Sequence, residues 1–150
     1  RDFCLSRGLG DVYKRQGHGG NTFKSMIRDL SLDYPDFLIA SSEWFAFVPA
    51  KEYFDEPGDH ADELETSVMM HYHPELVNLD EAGDGNYKKF ASQMLNEKVA
   101  WIPRNWQKVS QDTGIGNPKK ASAEKGKKYA EAVVAKYALL FEELVHKELY

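Results

Sequence analysis

The 150-residue sequence has few of the features expected of secreted or membrane proteins. Cys4 is its single cysteine, so no disulfide can form within the chain. No apolar run approaches the roughly 20 residues that a membrane-spanning helix requires, and the first residues lack the apolar stretch of a signal peptide. We therefore expect a cytoplasmic protein with no membrane partner.

Positive charge is also scarce. Lys and Arg total 19 against 24 Asp and Glu, which gives a formal net charge of −5. Nucleic acids and anionic membranes favour a basic surface, so we expect neither as a partner. The densest lysine run, residues 119–128, is interleaved with Ala, Ser, Glu and Gly and is predicted to be the solvated start of a helix.

The apolar pattern predicts alternating helices and a strand. The chain is 42% hydrophobic, enough for the core of one domain or part of one. Apolar residues at helical spacing follow Asn21 and stop at Pro35, and the apolar run over 36–41 predicts a buried strand. Further helices are predicted from Glu65 to a stop at Pro74, near 87–96 and, most clearly, over 121–148. Helix followed by buried strand favours a parallel sheet with crossover helices.

A glycine-rich motif precedes the first helix. Residues 17–21 read Gly-His-Gly-Gly-Asn. The glycines let the backbone approach a ligand closely, and a helix N-terminus follows. The motif lacks the lysine spacing of a Walker loop and the full dinucleotide pattern. His18 is either an ordinary loop residue or a metal-capable side chain, and a phosphate- or nucleotide-binding α/β domain is a further alternative.

A second motif, residues 60–67, reads His-Ala-Asp-Glu-Leu-Glu-Thr-Ser. Carboxylates at a helix start commonly act only as caps, each stabilising by roughly 0.3–1 kcal/mol. An imidazole among carboxylates is also the ligand chemistry of a hard divalent metal, and hydrolysis needs a proton donor nearby. Both interpretations remain open for Asp62 and Glu65.

Together the two motifs resemble the creatininase (creatinine amidohydrolase) family. Its motifs typically read Asn-Gly-His-Gly-Gly-Asn and His-Ala-Gly-Glu-x-Glu-Thr-Ser. The resemblance continues through Pro-Glu-Leu-Val at 74–77, Thr-Gly-Ile-Gly-Asn-Pro at 113–118 and Ala-Ser-Ala-Glu-Lys-Gly at 121–126. It covers residues 17 to about 145.

The resemblance implies an α/β fold, a three-layer α/β/α arrangement with a mainly parallel sheet, here incomplete at the N-terminus. Residues 1–16 match nothing in the family and are expected to be a leader or a segment foreign to the protein. Residues 17–150 are expected to be the C-terminal part of a single creatininase-like domain.

The implied function is metal-dependent amidohydrolysis. Metal-activated water would attack the carbonyl carbon of a small cyclic or linear amide, and the C–N bond would then break. The intact family uses two divalent ions per active site, zinc, manganese or iron, and its members are commonly homo-oligomers. A small-molecule amide is thus the expected substrate, and another copy of the chain the expected protein partner.

The resemblance also assigns site residues. His60 would be the catalytic proton-transfer residue and His18 a metal ligand, while Trp44 and Gly19 would contact substrate. Characterised creatininase has a ligating glutamate two positions after the first-motif histidine, where this chain has glycine. We hypothesise that Glu63 supplies that metal ligand, with Glu65 as the competing candidate.

Two departures from the family narrow these expectations. The family's other metal ligands precede the first motif, and nothing in residues 1–16 matches them. We therefore expect the chain as given to hold part of a metal site and to be inactive; the alternative is a non-catalytic fragment acting only in oligomer assembly or binding. Residues 56–59, Glu-Pro-Gly-Asp, replace a tryptophan of creatinine-specific members, so creatinine is doubtful as the substrate.

Overall fold

The structure is a computed structural model that describes residues 22–146 and Glu148. The chain separates into two compact units, Arg1–Trp44 and Phe45–Tyr150, each described by itself below. Among the described residues, none of the helices combines the length and the apolar composition needed to cross a membrane.

The first unit contains helix α1, Lys24–Asp33. The helix predicted after Asn21 is present, but Phe23 occupies its N-cap and no side chain caps it. Asn21 itself lies outside the described residues. The helix ends where the N–H of Tyr34 donates to the carbonyl of Leu30 at 2.9 Å. Pro35 follows, and proline cannot continue a helix because it lacks the N–H.

The strand predicted over 36–41 is wrong. Phe37 donates its N–H to the carbonyl of Tyr34, closing a turn, and residues 38–43 follow without regular structure. In the described residues, strand-type pairing outside helices is an isolated antiparallel bridge between His60 and Ile115. These residues therefore do not confirm a mainly parallel sheet in a three-layer fold. A strand needs a hydrogen-bonded neighbour, which an apolar pattern alone cannot supply.

The second unit is built from two longer helices and two single turns. The longest helix confirms the prediction over 121–148 to within two residues at each end. Of the helix predicted near 87–96, the structure contains only the last turn, residues 93–96. Long loops with short 3-10 turns connect them. The helices are α2 Glu63–Tyr72, α3 Gln93–Asn96, α4 Trp106–Val109 and α5 Ala123–His146.

Helices α2 and α5 pack against each other to form the core of the second unit. A Cβ built on Gly126 of α5 would lie 1.9 Å from the carbonyl oxygen of Ser67 in α2, so glycine is required for this close approach. Tyr129, one turn further on, is fully buried. Its ring lies 5.3 Å from that of Tyr53 and 5.2 Å from that of Phe54, and its hydroxyl donates to the carbonyl of Phe45 at 3.1 Å.

Tyr129 predicts a loss of stability in alkaline solution. Burial, with smaller effects of Asp62 and Tyr53, raises the pKa of its phenol to about 12. An unfolded tyrosine ionises near pH 10. The folded state therefore retains the proton between these values, so the free energy of unfolding falls as pH rises through this window. The loss is about 2 kcal/mol by pH 12.

Urea unfolding at a series of pH values measures this effect. Tyr129→Phe should remove this part of the pH dependence, whereas Tyr87→Phe, at a half-exposed position, should retain it. If wild type and Tyr129→Phe lose stability with the same slope above pH 10, the buried phenol is not the cause.

Candidate active site

His60 lies at the end of a loop that leads directly into α2. Ala61, the next residue, has a φ of 48°, an uncommon conformation for a residue with a Cβ. Asp62 then caps α2, and its Oδ1 accepts the N–H of Glu65 at 2.9 Å. The carboxylate satisfies an N–H that has no partner within the helix, which explains why the helix begins here.

The acidic residues of this turn also hold the loop that precedes it. Each accepts a backbone N–H from a different loop position, at 2.5–2.7 Å. These bonds give the acidic cluster a structural purpose that simple capping does not cover. The pairs are Glu63 Oε2 with Glu56 N–H, Asp62 Oδ2 with Gly58 N–H, and Glu65 Oε2 with Ala61 N–H.

Ile115 holds the other side of the loop. Its carbonyl accepts the N–H groups of Asp59 and His60, at 2.7 and 3.1 Å, and its own N–H donates to the carbonyl of His60 at 2.8 Å. Gly58 and Gly116 make this approach feasible. A Cβ on Gly58 would lie 2.4 Å from the Ile115 oxygen, and one on Gly116, whose φ is 119°, would lie 2.7 Å from Asp62 Cβ.

A buried ion pair connects the acidic turn to α5. Glu63 is fully buried, and its Oε1 accepts a hydrogen bond from Lys125 Nζ at 2.5 Å. The same ammonium contacts Asp55 at 2.9 Å. The hydrogen bond to Glu63, followed by the bond to Asp55, raises the pKa of Lys125. The hydrogen bond from Lys125 in turn lowers the pKa of Asp55. Both carboxylate oxygens of Glu63 are therefore occupied within the protein.

The His60 side chain remains 39% exposed. Its Nδ1 lies 3.8 Å from Glu65 Oε2, and the Glu65 side chain is 37% exposed. The ring centroid of Trp106 lies 5.1 Å from that of His60. A cavity of about 430 Å³ adjoins Glu65 and Ala61. The accessible imidazole thus has a carboxylate close by.

The structure brings together only some of the predicted site residues. His60, Glu63 and the competing candidate Glu65 share one turn of chain. Trp44 belongs to the other unit, where it is half-buried. His18 and Gly19 lie outside the described residues.

The described residues do not fit a metal centre by themselves. Within residues 22–146 and 148, no group of three or more His, Cys, Asp or Glu side chains is placed to hold a metal ion. Asp62 and Glu63 already use both oxygens on N–H and ammonium donors. Metal ligation by Glu63 stays a prediction, and the geometry supplies a competing structural role.

Several residues of the site had no local sequence signal. Lys125 belongs to the lysine run that was predicted to be a solvated helix start. That prediction holds for Lys127 and Lys128, which form exposed pairs with glutamates one turn away. Ile115 and Trp106 reach His60 from far along the chain, so spacing does not reveal them.

An exposed imidazole close to a carboxylate is the arrangement that hydrolases use for proton transfer. The sequence profile of the creatininase family, described as creatinine amidohydrolase, matches residues 5–141. The chain therefore belongs to the creatininase family. A comparison with curated proteins finds no match.

Solved structures show the same relationship. A crystal structure described as a creatinine amidohydrolase from Bacteroides fragilis NCTC 9343 is 63% identical, with a TM-score of 0.83, and the match covers 89% of this chain and 53% of that one. Two creatininase variants are each 24% identical over 81% of this chain and 48% of theirs. One carries a tryptophan-to-phenylalanine change, with a TM-score of 0.59. The other, a glutamate-to-glutamine variant described as the Zn-Zn type, has a TM-score of 0.60.

The fold is therefore creatininase-like, and the chain spans about half the length of these relatives.

The Glu63–Lys125 pair predicts strong energetic coupling between α2 and α5. Lys125→Met leaves a carboxylate buried without its cation and should destabilise the second unit strongly. Glu63→Gln removes the buried charge, so adding it to Lys125→Met should cost less than the sum of the single changes. Urea unfolding of the four proteins measures the coupling.

Lys128→Met is the matched control for this cycle. Lys128 forms an exposed pair with Glu124, and its removal should have little effect on stability. Additive effects of Glu63→Gln and Lys125→Met, or equal losses in Lys125→Met and Lys128→Met, would contradict a coupled buried pair.

Proposed function

We propose that the enzyme to which this chain belongs hydrolyses the C–N bond of a small cyclic or linear amide, with His60 transferring the proton. The observation that carries the proposal is the family match over residues 5–141, which includes a half-exposed His60 close to Glu65. Creatinine itself is not the favoured substrate, because residues 56–59, Glu-Pro-Gly-Asp, lack the tryptophan of creatinine-specific members. The backbone of these residues is instead bonded to the acidic turn.

Geometry gives Glu65 a role beside His60. Glu65 is fixed at one end by its bond to the Ala61 N–H. A separation of 3.8 Å is too long for a direct hydrogen bond, so the interaction is electrostatic. The carboxylate offsets the positive charge that the imidazole acquires when it takes up a proton from the attacking water. The same imidazole then returns that proton to the leaving nitrogen.

We also propose that the active enzyme uses divalent metal ions, zinc, manganese or iron, with His18 among their ligands. The Zn-Zn type relative supports metal use in the family. The described residues hold no complete set of metal ligands. The proton-transfer steps therefore involve His60 and Glu65 alone. The three-layer α/β/α arrangement with a mainly parallel sheet belongs to the same proposal and applies to an enzyme of the relatives' length.

Loss of the His60 imidazole should abolish most of the activity. In an enzyme of the relatives' length, His60→Asn should lower kcat by about 10²–10⁴-fold on whichever amide is hydrolysed. The assay compares creatinine, formamides and small peptides as substrates. His73→Asn is the control, because His73 forms a similar exposed histidine–glutamate pair with Glu75 at 3.2 Å. Wild-type turnover by His60→Asn, or equal losses in the two variants, would refute the proposal.

Metal analysis separates the two roles considered for Glu63. The 150-residue chain, dialysed after incubation with zinc or manganese, should retain fewer than two tightly bound ions. In the enzyme of the relatives' length, Glu63→Gln should lower stability and leave the metal content per folded protein unchanged. Two tight ions in the 150-residue chain would contradict the partial site, and loss of an ion in Glu63→Gln would make Glu63 a ligand.

A further inference from the structure

A chain of side-chain contacts that includes His60 links two distant segments, residues 59–60 and residues 104–106. Asp59 forms an ion pair with Arg104, and the guanidinium of Arg104 lies over the Trp106 ring, with Cζ 5.5 Å from the ring centroid. The Trp106 ring in turn lies 5.1 Å from the His60 ring, tilted by 52°. Because Asp59 precedes His60 directly, both ends of this chain of contacts lie in the same loop.

These contacts bear on the orientation of the His60 ring, which the hydrogen bonds of the loop backbone do not fix. Hydrogen bonds fix the main chain of His60, whereas its half-exposed ring has, among the residues that the structure describes, a 3.8 Å contact with Glu65 and the contact with Trp106. An exposed side chain exchanges among staggered rotamers unless neighbours restrict it. The Trp106 ring is a rigid group whose centroid lies 5.1 Å from that of the His60 ring. Arg104 stacks on the Trp106 ring, in the manner of a cation–π contact, and is itself tied to the loop through Asp59.

We propose that Trp106, held in place by Arg104, is a positioning residue that keeps the His60 imidazole in the rotamer facing Glu65. The proposal rests on the proposed function of His60. Trp106 does not itself exchange protons with the substrate. Its removal should lower turnover because misplacing a catalytic group by about 1 Å costs up to about 10²-fold in rate.

The contact itself can be measured without any activity. Proton NMR of the 150-residue chain should show the His60 ring resonances displaced by the ring current of Trp106, and Trp106→Leu should move them towards those of an exposed histidine. Trp101→Leu is the matched control, since Trp101 is in the same segment and 81% exposed. Unchanged Tyr129 resonances show that each variant is folded. His60 resonances that do not respond to Trp106→Leu, or respond equally to Trp101→Leu, would overturn the proposal.

Kinetics of the enzyme of the relatives' length test the role. Trp106→Leu should lower kcat by about 10- to 100-fold with a smaller change in KM. Trp106→Phe should recover most of the loss, because it keeps a flat ring beside His60, and Trp101→Leu should behave as wild type. A Trp106→Leu enzyme with wild-type kcat, or a Trp106→Phe enzyme as slow as Trp106→Leu, would overturn the positioning role.

Failure of the proposed function has a different signature. His60→Asn would then keep full activity, while the His60 resonances would still respond to Trp106→Leu. The positioning role would fall with the proposed function, and the ring contact would stand as a purely structural one.

Discussion

The candidate site depends on one constraint: backbone N–H groups in the loop before α2 need acceptors, and the first turn of α2 provides them. Carboxylates are favoured at the start of a helix, because the free N–H groups of the first turn and the helix dipole attract negative charge. Here the same carboxylates turn back and accept the N–H groups of Glu56, Gly58 and Ala61. One set of charges therefore begins the helix and fixes the loop that carries His60.

That constraint extends to α5 through a single buried charge. Glu63 accepts the loop N–H from a fully buried position, and a buried carboxylate needs a cation. Lys125 supplies the cation from α5, next to Gly126, where α5 touches the backbone of α2. Sliding α5 along α2 would both unpair Glu63 and place a Cβ against a carbonyl. The position of α5 and the conformation of the His60 loop are thus linked.

The parts of this structure that the sequence predicted are those with a local or periodic signal. The long helix α5 and the helix after the second motif follow from spacing along one segment. The prediction of a strand over 36–41 failed because an apolar pattern does not specify a partner strand, and among the described residues no strand pairs with this segment. Lys125 was predicted to be solvated like its neighbours. Its contact with Glu63 depends on how α5 packs on α2, which a run of lysines does not encode.

The acidic cluster shows the same limit within a few residues. Asp62, Glu63 and Glu65 are nearly adjacent, so a motif treats them as interchangeable candidates for capping, metal binding or proton transfer. Packing separates them: Asp62 and Glu63 are 3% and 0% exposed with both oxygens bonded inside the protein, whereas the Glu65 side chain is 37% exposed beside His60. Which helix face becomes buried is decided by α5, some sixty residues later. Burial therefore gives the first two carboxylates bonds within the protein, whereas Glu65 remains accessible beside His60.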